Sequence, residues 1–329
     1  MASGELELLK RIRQRSVGVH SREVRLGIGD DCAVLRLPPG EEAVVTTDLS
    51  LEGRHFRLDW HSPESIGHRT LARGLSDLAA MGARPVAVFL SLAVPKKLTA
   101  AARNAKPWTE RFYDGLLRLA ETHRIPLAGG DLAEFPQVVA DIVLVGAVRQ
   151  GRALLRSGAR PGDAIYVTGR LGGSAAGLRA LETLGGKKTP AQLTDTLKPH
   201  LFPEPRIAQG LWLVRHKAAT AAMDLSDGLS LDLVRLREES GVAAEIDQSA
   251  LPIAPGATLA DALHGGEDYE LLFTTRAGTK LPRQLAGIPI TQIGRILKRR
   301  AGRPQIALLN TSGPVQLQPR GWEHFSKQS

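Results

Sequence analysis

The sequence has little cysteine and few aromatic residues. Cys32 is the only cysteine among 329 residues, and aromatic residues make up 4% of the chain. One cysteine cannot form an intramolecular disulfide, so a disulfide-stabilised secreted fold is excluded and a reducing compartment is expected. We expect Cys32 to be a small buried residue. No apolar run reaches the roughly 18 residues of a transmembrane helix, and the charged N-terminal segment lacks the apolar region of a signal peptide. These absences predict a cytoplasmic protein.

Several catalytic motifs are absent as well. The sequence has no G-x-x-x-x-G-K-[ST] segment, which excludes a P-loop nucleotide site. It has no H-E-x-x-H segment, paired cysteines or histidine cluster that would indicate zinc, and no protein-kinase signature. In Asp-Leu-Ser-Asp-Gly at 224–228, aspartate stands where a nucleophile elbow requires glycine. We therefore do not expect Ser226 to be an acyl-transfer nucleophile.

Positive charge is unevenly distributed along the chain. The formal net charge is +9, yet residues 1–275 contain 33 basic and 33 acidic side chains, whereas residues 276–329 contain ten basic side chains and one acidic. We interpret this C-terminal region as a solvated basic surface. The alternative is a nucleic-acid-binding module formed by residues 276–329, although the low aromatic content offers few stacking surfaces for single strands. We expect neither a nucleic-acid nor a membrane partner.

The overall composition, with 43% hydrophobic and 23% charged residues, is typical of a globular protein. A length of 329 residues suggests two domains. Helical and strand patterns alternate in both halves, which predicts an α/β or α+β fold. Because the pattern restarts around Gln150, we place an N-terminal domain at residues 1–149 and a C-terminal domain at residues 150–329.

Apolar periodicity and turn residues predict the main elements. Ser62 and Pro63 are typical of a helix start, and the helix should end near Gly82 and carry Asp77. A glycine-rich turn at 169–173 should lead from a strand into a helix. Further helices are predicted over 5–15, 205–215 and 229–239, and strands over 86–94, 138–148, 164–168 and 270–275.

Short acidic segments recur, mostly after apolar segments and beside glycine, and we predict that most of them, including Thr46–Asp48 and Asp131, lie in turns at the ends of strands. There are six of them: Asp30–Asp31, Thr46–Asp48, Asp77, Asp131, Asp224–Asp227 and Glu267–Asp268. One such segment alone is typical of a helix cap or a turn. Several carboxylates in one cleft require cations because like charges repel, and Mg²⁺ bound by carboxylates and substrate phosphates meets that need. The pattern predicts a metal–phosphate site that supports phosphoryl transfer.

Eight segments in fixed order give the chain a family resemblance. They are GDD at 29–31, TTD at 46–48, EGRHF at 52–56, SDLAAMGA at 76–83, GGD at 129–131, MDLSDGL at 223–229, GGEDYELLF at 265–273 and GW at 321–322. Over almost its whole length the chain resembles the thiamine-monophosphate kinase family of the aminoimidazole ribonucleotide synthetase-like superfamily. The resemblance implies a two-domain fold of that superfamily and a homodimer whose N-terminal domains form a shared β-barrel. It also implies in-line phosphorylation of thiamine monophosphate by ATP with several Mg²⁺ ions, giving thiamine diphosphate.

The resemblance also implies roles for individual residues. The implied metal ligands are Asp31, Thr46, Thr47, Asp48, Asp77, Asp131, Asp224 and Asp227, of which Asp48, Asp77 and Asp131 are the implied catalytic residues. The implied ATP contacts are Tyr113, Gly130, Asp131, Arg156 and Ser226. The implied contacts to thiamine monophosphate are His55, Glu267 and Trp322. The aromatic face of Trp322 can stack on a cationic thiazolium ring.

Two residues depart from the family pattern. Arg54 stands where an aliphatic residue is usual, and Leu132 stands where a small polar residue is common. Arg54 could perturb or supplement contacts to the substrate phosphate. The enzymatic alternative is another ATP-using member of the same superfamily that acts on a different substrate.

Overall fold

The computed structural model describes residues 5–16, 18–19, 21–101, 106–185, 195–302 and 304–322. The chain forms two compact units. Unit 1 contains the described residues up to Leu78, Ala83–Gly151 and residues 184–185, and unit 2 contains Ala79–Gly82, Arg152–Thr183 and the described residues from 195 onward. Within these described ranges, no helix is long and apolar enough to cross a membrane.

Unit 1 is built on a four-stranded sheet. Its helices are α1 (Glu5–Ser16), α2 (Pro63–Ala80) and α3 (Trp108–Thr122), and its strands are β1 (Val24–Leu26), β2 (Val34–Leu35), β3 (Glu41–Leu51), β4 (Arg84–Val94), β5 (Leu127–Glu134) and β6 (Val139–Arg149). The sheet order is β3-β6-β4-β5, with β4 and β5 parallel and the other pairs antiparallel, while β1 and β2 form a separate antiparallel pair.

The core of unit 1 includes the contact between α2 and β6. Leu71, Leu75 and Leu78 follow the helical period and are fully buried, as is Leu144 of β6. A Cβ atom added at Gly74 would lie 2.4 Å from the Leu144 side chain, so glycine lets α2 approach the sheet closely. This contact fixes the position of the helix one turn before Asp77.

Two further glycines bring α2 and α3 together. A Cβ atom at Gly67 would lie 2.0 Å from the carbonyl oxygen of Phe112, and one at Gly115 would lie 1.9 Å from the carbonyl oxygen of Glu64. The guanidinium of Arg111 adds two bonds to the Glu64 carboxylate, at 2.7 and 2.9 Å. Because the obstructing atoms belong to the backbone, larger residues at these positions would force the helices apart.

Unit 2 contains a larger mixed sheet. Its helices are α4 (Gly173–Leu184), α5 (Lys198–Leu201), α6 (Ile207–His216), α7 (Leu229–Ser240) and α8 (Leu259–His264), and its strands are β7 (Ala164–Thr168), β8 (Ala221–Asp224), β9 (Ala243–Asp247), β10 (Leu271–Thr275), β11 (Gln284–Leu285), β12 (Ile288–Leu297), β13 (Ile306–Asn310) and β14 (Gly313–Gln316). The order is β14-β13-β9-β12-β7-β10-β8, with β11 beside β12, and only the β13–β9 pair is parallel among these described strands.

One apolar cluster holds unit 2 together. Leu229, Leu233 and Leu236 lie on one face of α7 and pack in a cluster with Val167 of β7 and Met223 of β8. This packing anchors both ends of the segment between β8 and α7, which carries Asp224 and Asp227.

The structure confirms the predicted fold class and most of the predicted elements, with three corrections. Thr46–Asp48, predicted as a turn, lies inside β3, because β3 pairs with β6 without interruption from Glu41 to Leu51. Asp131 likewise lies inside β5. The helix predicted from residue 205 begins at Ile207.

Cys32, predicted to be buried, is exposed. It follows Asp30 and Asp31 in the loop between β1 and β2. Two adjacent charged carboxylates favour contact with water, so this part of the loop stays outside the core.

Candidate active site

In unit 1, α2 and β3 bring four polar side chains together. The Thr46 hydroxyl donates a hydrogen bond to the Asp77 carboxylate, and the Arg73 guanidinium donates to the Asp48 carboxylate at 3.1 Å. Arg73 and Asp77 are four residues apart on one helix face, and Thr46 and Asp48 are two residues apart on one strand face. Four residues along a helix and two residues along a strand each span about 6 Å. The helix can therefore place Arg73 opposite Asp48 and Asp77 opposite Thr46 at the same time.

The alternation of β3 separates Thr47 from this group. Thr47 is exposed, whereas Thr46 and Asp48 are half-buried. Successive side chains in a strand point to opposite faces. The structure therefore brings Thr46, Asp48 and Asp77 together and directs the Thr47 side chain to the other face of the sheet.

A pocket of about 680 Å³ gathers further predicted residues in unit 1. Asp31, Tyr113, Gly130 and Asp131 line it, together with Arg13 of α1. The Asp131 carboxylate accepts the N–H of the next residue at 2.8 Å, which orients it. Burial raises the pKa of the Tyr113 phenol, which therefore remains a hydrogen-bond donor. Carboxylates beside a guanidinium suit an anion that arrives with a metal ion.

Glycine is required at two positions in the wall of this pocket. Gly130 has a φ of +150°, and a Cβ atom there would lie 1.9 Å from the carbonyl oxygen of Leu90. Gly29 has a φ of +132°, and a Cβ atom there would lie 2.6 Å from the Arg13 guanidinium carbon. Any side chain at either position would displace the atoms that line the pocket.

His55 lies in the short loop after β3, and the backbone fixes the orientation of its ring. The Leu51 N–H donates to Nδ1 of His55 at 2.9 Å, and the Arg69 guanidinium donates to the His55 carbonyl at 3.2 Å. Since Nδ1 accepts a hydrogen bond, the ring proton is on Nε2. His55 is thus a hydrogen-bond donor through Nε2. Arg54, beside it, is exposed.

In unit 2, the segment Asp224–Gly228 joins β8 to α7. Asp224 ends β8 and is buried, while Ser226 and Asp227 are half-buried. Strand and helix therefore place two carboxylates and one hydroxyl on a single short turn. The remaining proposed ATP contact of this unit, Arg156, lies in an exposed loop before β7, where its carbonyl accepts a hydrogen bond from the Ser240 hydroxyl at 2.8 Å.

Asp232 of α7 holds this turn in place. Its Oδ2 accepts the backbone N–H groups of Asp227 and Gly228, both at 3.0 Å. Arg235 donates to Oδ1 of Asp232 at 2.7 Å and to the Asp227 carboxylate at 2.5 Å. Burial, with the charge of Asp227 beside it, raises the pKa of Asp232 to about 7. The turn is therefore fixed through its backbone by a buried carboxyl group.

The segment around Glu267 is attached to the same turn. The Glu267 N–H donates to the Ser226 carbonyl at 2.7 Å, the Tyr269 N–H to the Leu225 carbonyl at 2.9 Å, and the Leu225 N–H to the Glu270 carbonyl at 2.8 Å. Glu267 and Tyr269 have φ angles of +63° and +51°. Left-handed conformations at residues other than glycine are sparsely populated and often accompany function.

Glu267 and Asp268 have different environments although they are adjacent. The Asp268 carboxylate accepts the N–H groups of Gly172 and Ser174 at 2.5 and 3.0 Å and so caps α4. Burial raises the pKa of Asp268 to about 7. Of this acidic pair, Asp268 is thus the helix cap and Glu267 remains the candidate substrate contact.

Trp322 lies beside the Asp224–Gly228 turn. Its backbone N–H donates to the Asp227 carbonyl at 3.2 Å, and its side chain is 39% exposed. Unit 2 thus brings the two predicted metal ligands of the turn together with two predicted substrate contacts, Glu267 and Trp322.

Three important residues were missed by sequence reasoning: Arg73, Asp232 and Arg235. A signal existed for each of them. Arg73 precedes Asp77 by one helical turn on the same face. Asp232 and Arg235 follow Asp227 by five and eight residues on the first turns of α7, where an acidic residue can bind the free N–H groups at a helix start.

The donors at both places are oxygens of carboxylates and hydroxyls, which suit Mg²⁺. Among the side chains that the structure describes, no group of three or more His, Cys, Asp and Glu could hold a metal ion alone. Mg²⁺ commonly keeps several waters and binds through one or two carboxylates plus substrate phosphates. The donor set fits that kind of site.

Comparison with known proteins identifies the family. Residues 29–148 match the family AIR synthase related protein, N-terminal domain, and residues 160–306 match AIR synthase related protein, C-terminal domain. The chain is 38% identical to the thiamine-monophosphate kinase of Escherichia coli strain K12 over 338 aligned residues, which cover 99% of each chain.

Solved structures agree with this result. The crystal structure of the thiamine-monophosphate kinase from Stenotrophomonas maltophilia K279a has a TM-score of 0.77 and 36% identity, covering 94% of this chain and 97% of that one. AaThiL complexed with AMPPCP and TMP has a TM-score of 0.73 and 31% identity, covering 98% and 97%. The chain therefore belongs to the thiamine-monophosphate kinase family, within the AIR synthase related proteins.

Proposed function

We propose that this chain transfers the γ-phosphate of ATP to thiamine monophosphate, giving thiamine diphosphate and ADP. The observation that carries the proposal is the 38% identity to the Escherichia coli kinase over 99% of both chains. The AaThiL structure with AMPPCP and TMP supports both substrate classes, because it belongs to a relative with 31% identity. In this reaction an oxygen of the thiamine phosphate attacks the γ-phosphorus in line, and the ADP oxygen leaves.

We propose that Mg²⁺ is held by oxygen ligands in both units. The proposed ligands are the side chains of Asp31, Thr46, Asp48, Asp77, Asp131, Asp224 and Asp227, with Asp48, Asp77 and Asp131 as the catalytic residues. Thr47 would contribute its backbone oxygen, because its side chain lies on the other face of β3. Bound Mg²⁺ would neutralise the phosphate charges that otherwise repel each other. The contacts of Thr46 with Asp77 and of Arg73 with Asp48 support this assignment, because they hold two carboxylates in fixed orientations on neighbouring elements.

Nucleotide and acceptor contacts are proposed at the remaining predicted positions. ATP would contact Tyr113, Gly130, Asp131, Arg156 and Ser226. Thiamine monophosphate would contact His55, Glu267 and Trp322. In the neutral ring Nδ1 accepts a hydrogen bond and Nε2 carries the proton, so His55 would act on an anionic phosphate as a hydrogen-bond donor that orients the acceptor rather than as a base.

We propose a homodimer that forms through unit 1. β3 is an edge strand of the four-stranded sheet. Val45 and Leu49 lie on the same face of β3 and are 60% and 46% exposed. An exposed edge strand with apolar side chains is a suitable surface for strand pairing between chains. We place the domains at residues 1–149 and 150–329 and the protein in the cytoplasm, where ATP is available.

The activity is tested by ADP release from purified protein with Mg-ATP and one acceptor at a time. We expect turnover with thiamine monophosphate and none with thiamine or an aminoimidazole ribonucleotide precursor. Absence of turnover with thiamine monophosphate would refute the proposal. The dimer is tested by light scattering after size-exclusion chromatography, where a monomer mass at micromolar concentration would refute it.

A further inference from the structure

Ser230, in the first turn of α7, has a hydroxyl group whose hydrogen-bonding capacity is fully used. The hydroxyl donates to the Arg320 carbonyl at 2.6 Å and accepts the Arg320 backbone N–H at 3.1 Å. Nδ1 of His264 lies 2.8 Å away. A hydroxyl has one donor and two acceptor positions, so His264 supplies the third bond as a donor. Ser230 is fully buried, and these bonds attach the C-terminal segment to α7.

Gly321 allows the next residue to approach the acidic turn. A Cβ atom there would lie 2.3 Å from the Asp227 carbonyl oxygen and 3.2 Å from the Leu231 Cβ. The obstructing oxygen belongs to a turn that Asp232 already fixes through two N–H bonds. That turn cannot retreat without losing those bonds, so only glycine fits at position 321 in this arrangement.

The attachment continues to Trp322. Its N–H donates to the Asp227 carbonyl at 3.2 Å. Arg320 is thus bonded to the start of α7, Gly321 lies against the turn, and Trp322 is bonded to the turn. The first atoms of the Trp322 side chain are therefore held at a fixed position relative to Asp227. The indole ring remains partly exposed.

We propose that Ser230 and Gly321 are positioning residues that fasten residues 320–322 to the Asp224–Gly228 turn and so hold Trp322 where it contacts thiamine monophosphate. The inference rests on the proposed kinase activity. It adds two residues that determine acceptor affinity without touching the acceptor. It also implies that the turn with the proposed metal ligands and the side chain of Trp322 keep a fixed position relative to each other.

Ser230→Ala and Gly321→Ala test the proposal by steady-state kinetics with each substrate varied separately. The first variant leaves two backbone groups of Arg320 without their partner, and the second pushes the segment off the turn. In each we expect the KM for thiamine monophosphate to rise about tenfold, with the KM for ATP within about twofold of wild type. Ser312→Ala, on the exposed hairpin between β13 and β14, and Gly18→Ala, where a Cβ meets no atom within 4 Å, are the matched controls.

A double-mutant cycle separates positioning from a general structural effect. If Ser230 acts through Trp322, then adding Ser230→Ala to Trp322→Ala should change the KM for thiamine monophosphate by less than about twofold. If the KM increases of the two single variants multiply in the double variant, the proposal is overturned. Thermal unfolding checks that the variants are folded, and Gly321→Ala in the same cycle supplies the test if Ser230→Ala does not fold.

Different results would refute the proposed kinase activity and the positioning role of Ser230 and Gly321. Wild-type protein without turnover on thiamine monophosphate would overturn the proposed function. Wild-type turnover with an unchanged KM for thiamine monophosphate in both Ser230→Ala and Gly321→Ala would overturn only the positioning role.

Discussion

The proposed metal ligands of the two units are supported in different ways. In unit 1, Asp48 and Asp77 come from a strand and a helix, and they accept hydrogen bonds from the side chains of Arg73 and Thr46, respectively. In unit 2, two carboxylates belong to one five-residue turn whose backbone is bound by Asp232. A side chain that donates to one carboxylate orients that ligand alone. Hydrogen bonds to the backbone of a turn hold every group on the turn in place.

This difference predicts where the chain tolerates change. Loss of a supporting side chain in unit 1 should alter one carboxylate and leave its strand or helix in place, because β3 and α2 are held by pairing and packing. Loss of Asp232 should move several groups together. These expectations can be tested by substitution.

The largest effect is expected from the ligands of unit 1 themselves. Asp48→Ala and Asp77→Ala should each lower kcat at least about a hundredfold while the protein stays folded, because phosphate repulsion would no longer be neutralised. ADP release and circular dichroism measure the two properties. Asp195→Ala, at an exposed position, is the control. Turnover like that of wild type in either variant would refute the metal assignment.

Asp232→Ala tests the backbone support of unit 2. It removes the acceptor of two N–H groups, so we expect about 1–3 kcal/mol less stability. Displacement of the turn should raise the Mg²⁺ requirement and lower activity about 10- to 100-fold. Urea unfolding and Mg²⁺ titration of turnover measure these effects. Asp232→Asn keeps one acceptor oxygen and should be intermediate; equal effects of Asn and Ala would argue against the N–H bonds as the cause.

Arg73→Gln tests the side-chain support of unit 1. The Arg73–Asp48 pair is partly exposed, with side-chain exposures of 17% and 23%. We expect a rise of about two- to fivefold in the Mg²⁺ concentration for half-maximal activity, with little change in stability. A loss of activity as large as that of Asp232→Ala would contradict the expectation that loss of a supporting side chain has a smaller effect in unit 1 than in unit 2.

The smallest effect concerns pH. Burial lowers the pKa of His264, which donates to Ser230, below its ordinary value of 6.5. The unfolded chain therefore takes up the proton first, so this stabilisation is present above pH 6.5 and is lost as the pH falls below it. His264→Gln should reduce the loss of unfolding free energy between about pH 7 and pH 5 in urea titrations. Parallel pH curves for the two proteins would contradict the role of His264.

The sequence alone determined which residues are proposed for the site. The spacing of apolar residues correctly predicted that Asp77 lies on a helix, and aspartate close to glycine marked the segments that carry Asp31, Asp131, Asp224 and Asp227. These features are local, since helix caps, turns and strand patterns depend on residues within a few positions. The ordered motifs were sufficient to recognise the family.

The tertiary structure alone decided which groups support these residues. Periodicity shows which face Arg73 occupies, but only the register between α2 and β3 makes Asp48 its partner. An aspartate after an apolar segment predicted a turn at Thr46–Asp48, and the strand was missed because its partner β6 lies far along the chain. Likewise, the contact of Ser230 with Arg320 joins residues 90 positions apart. Such contacts depend on long-range packing, and local sequence carries no signal of the distance or direction of that packing.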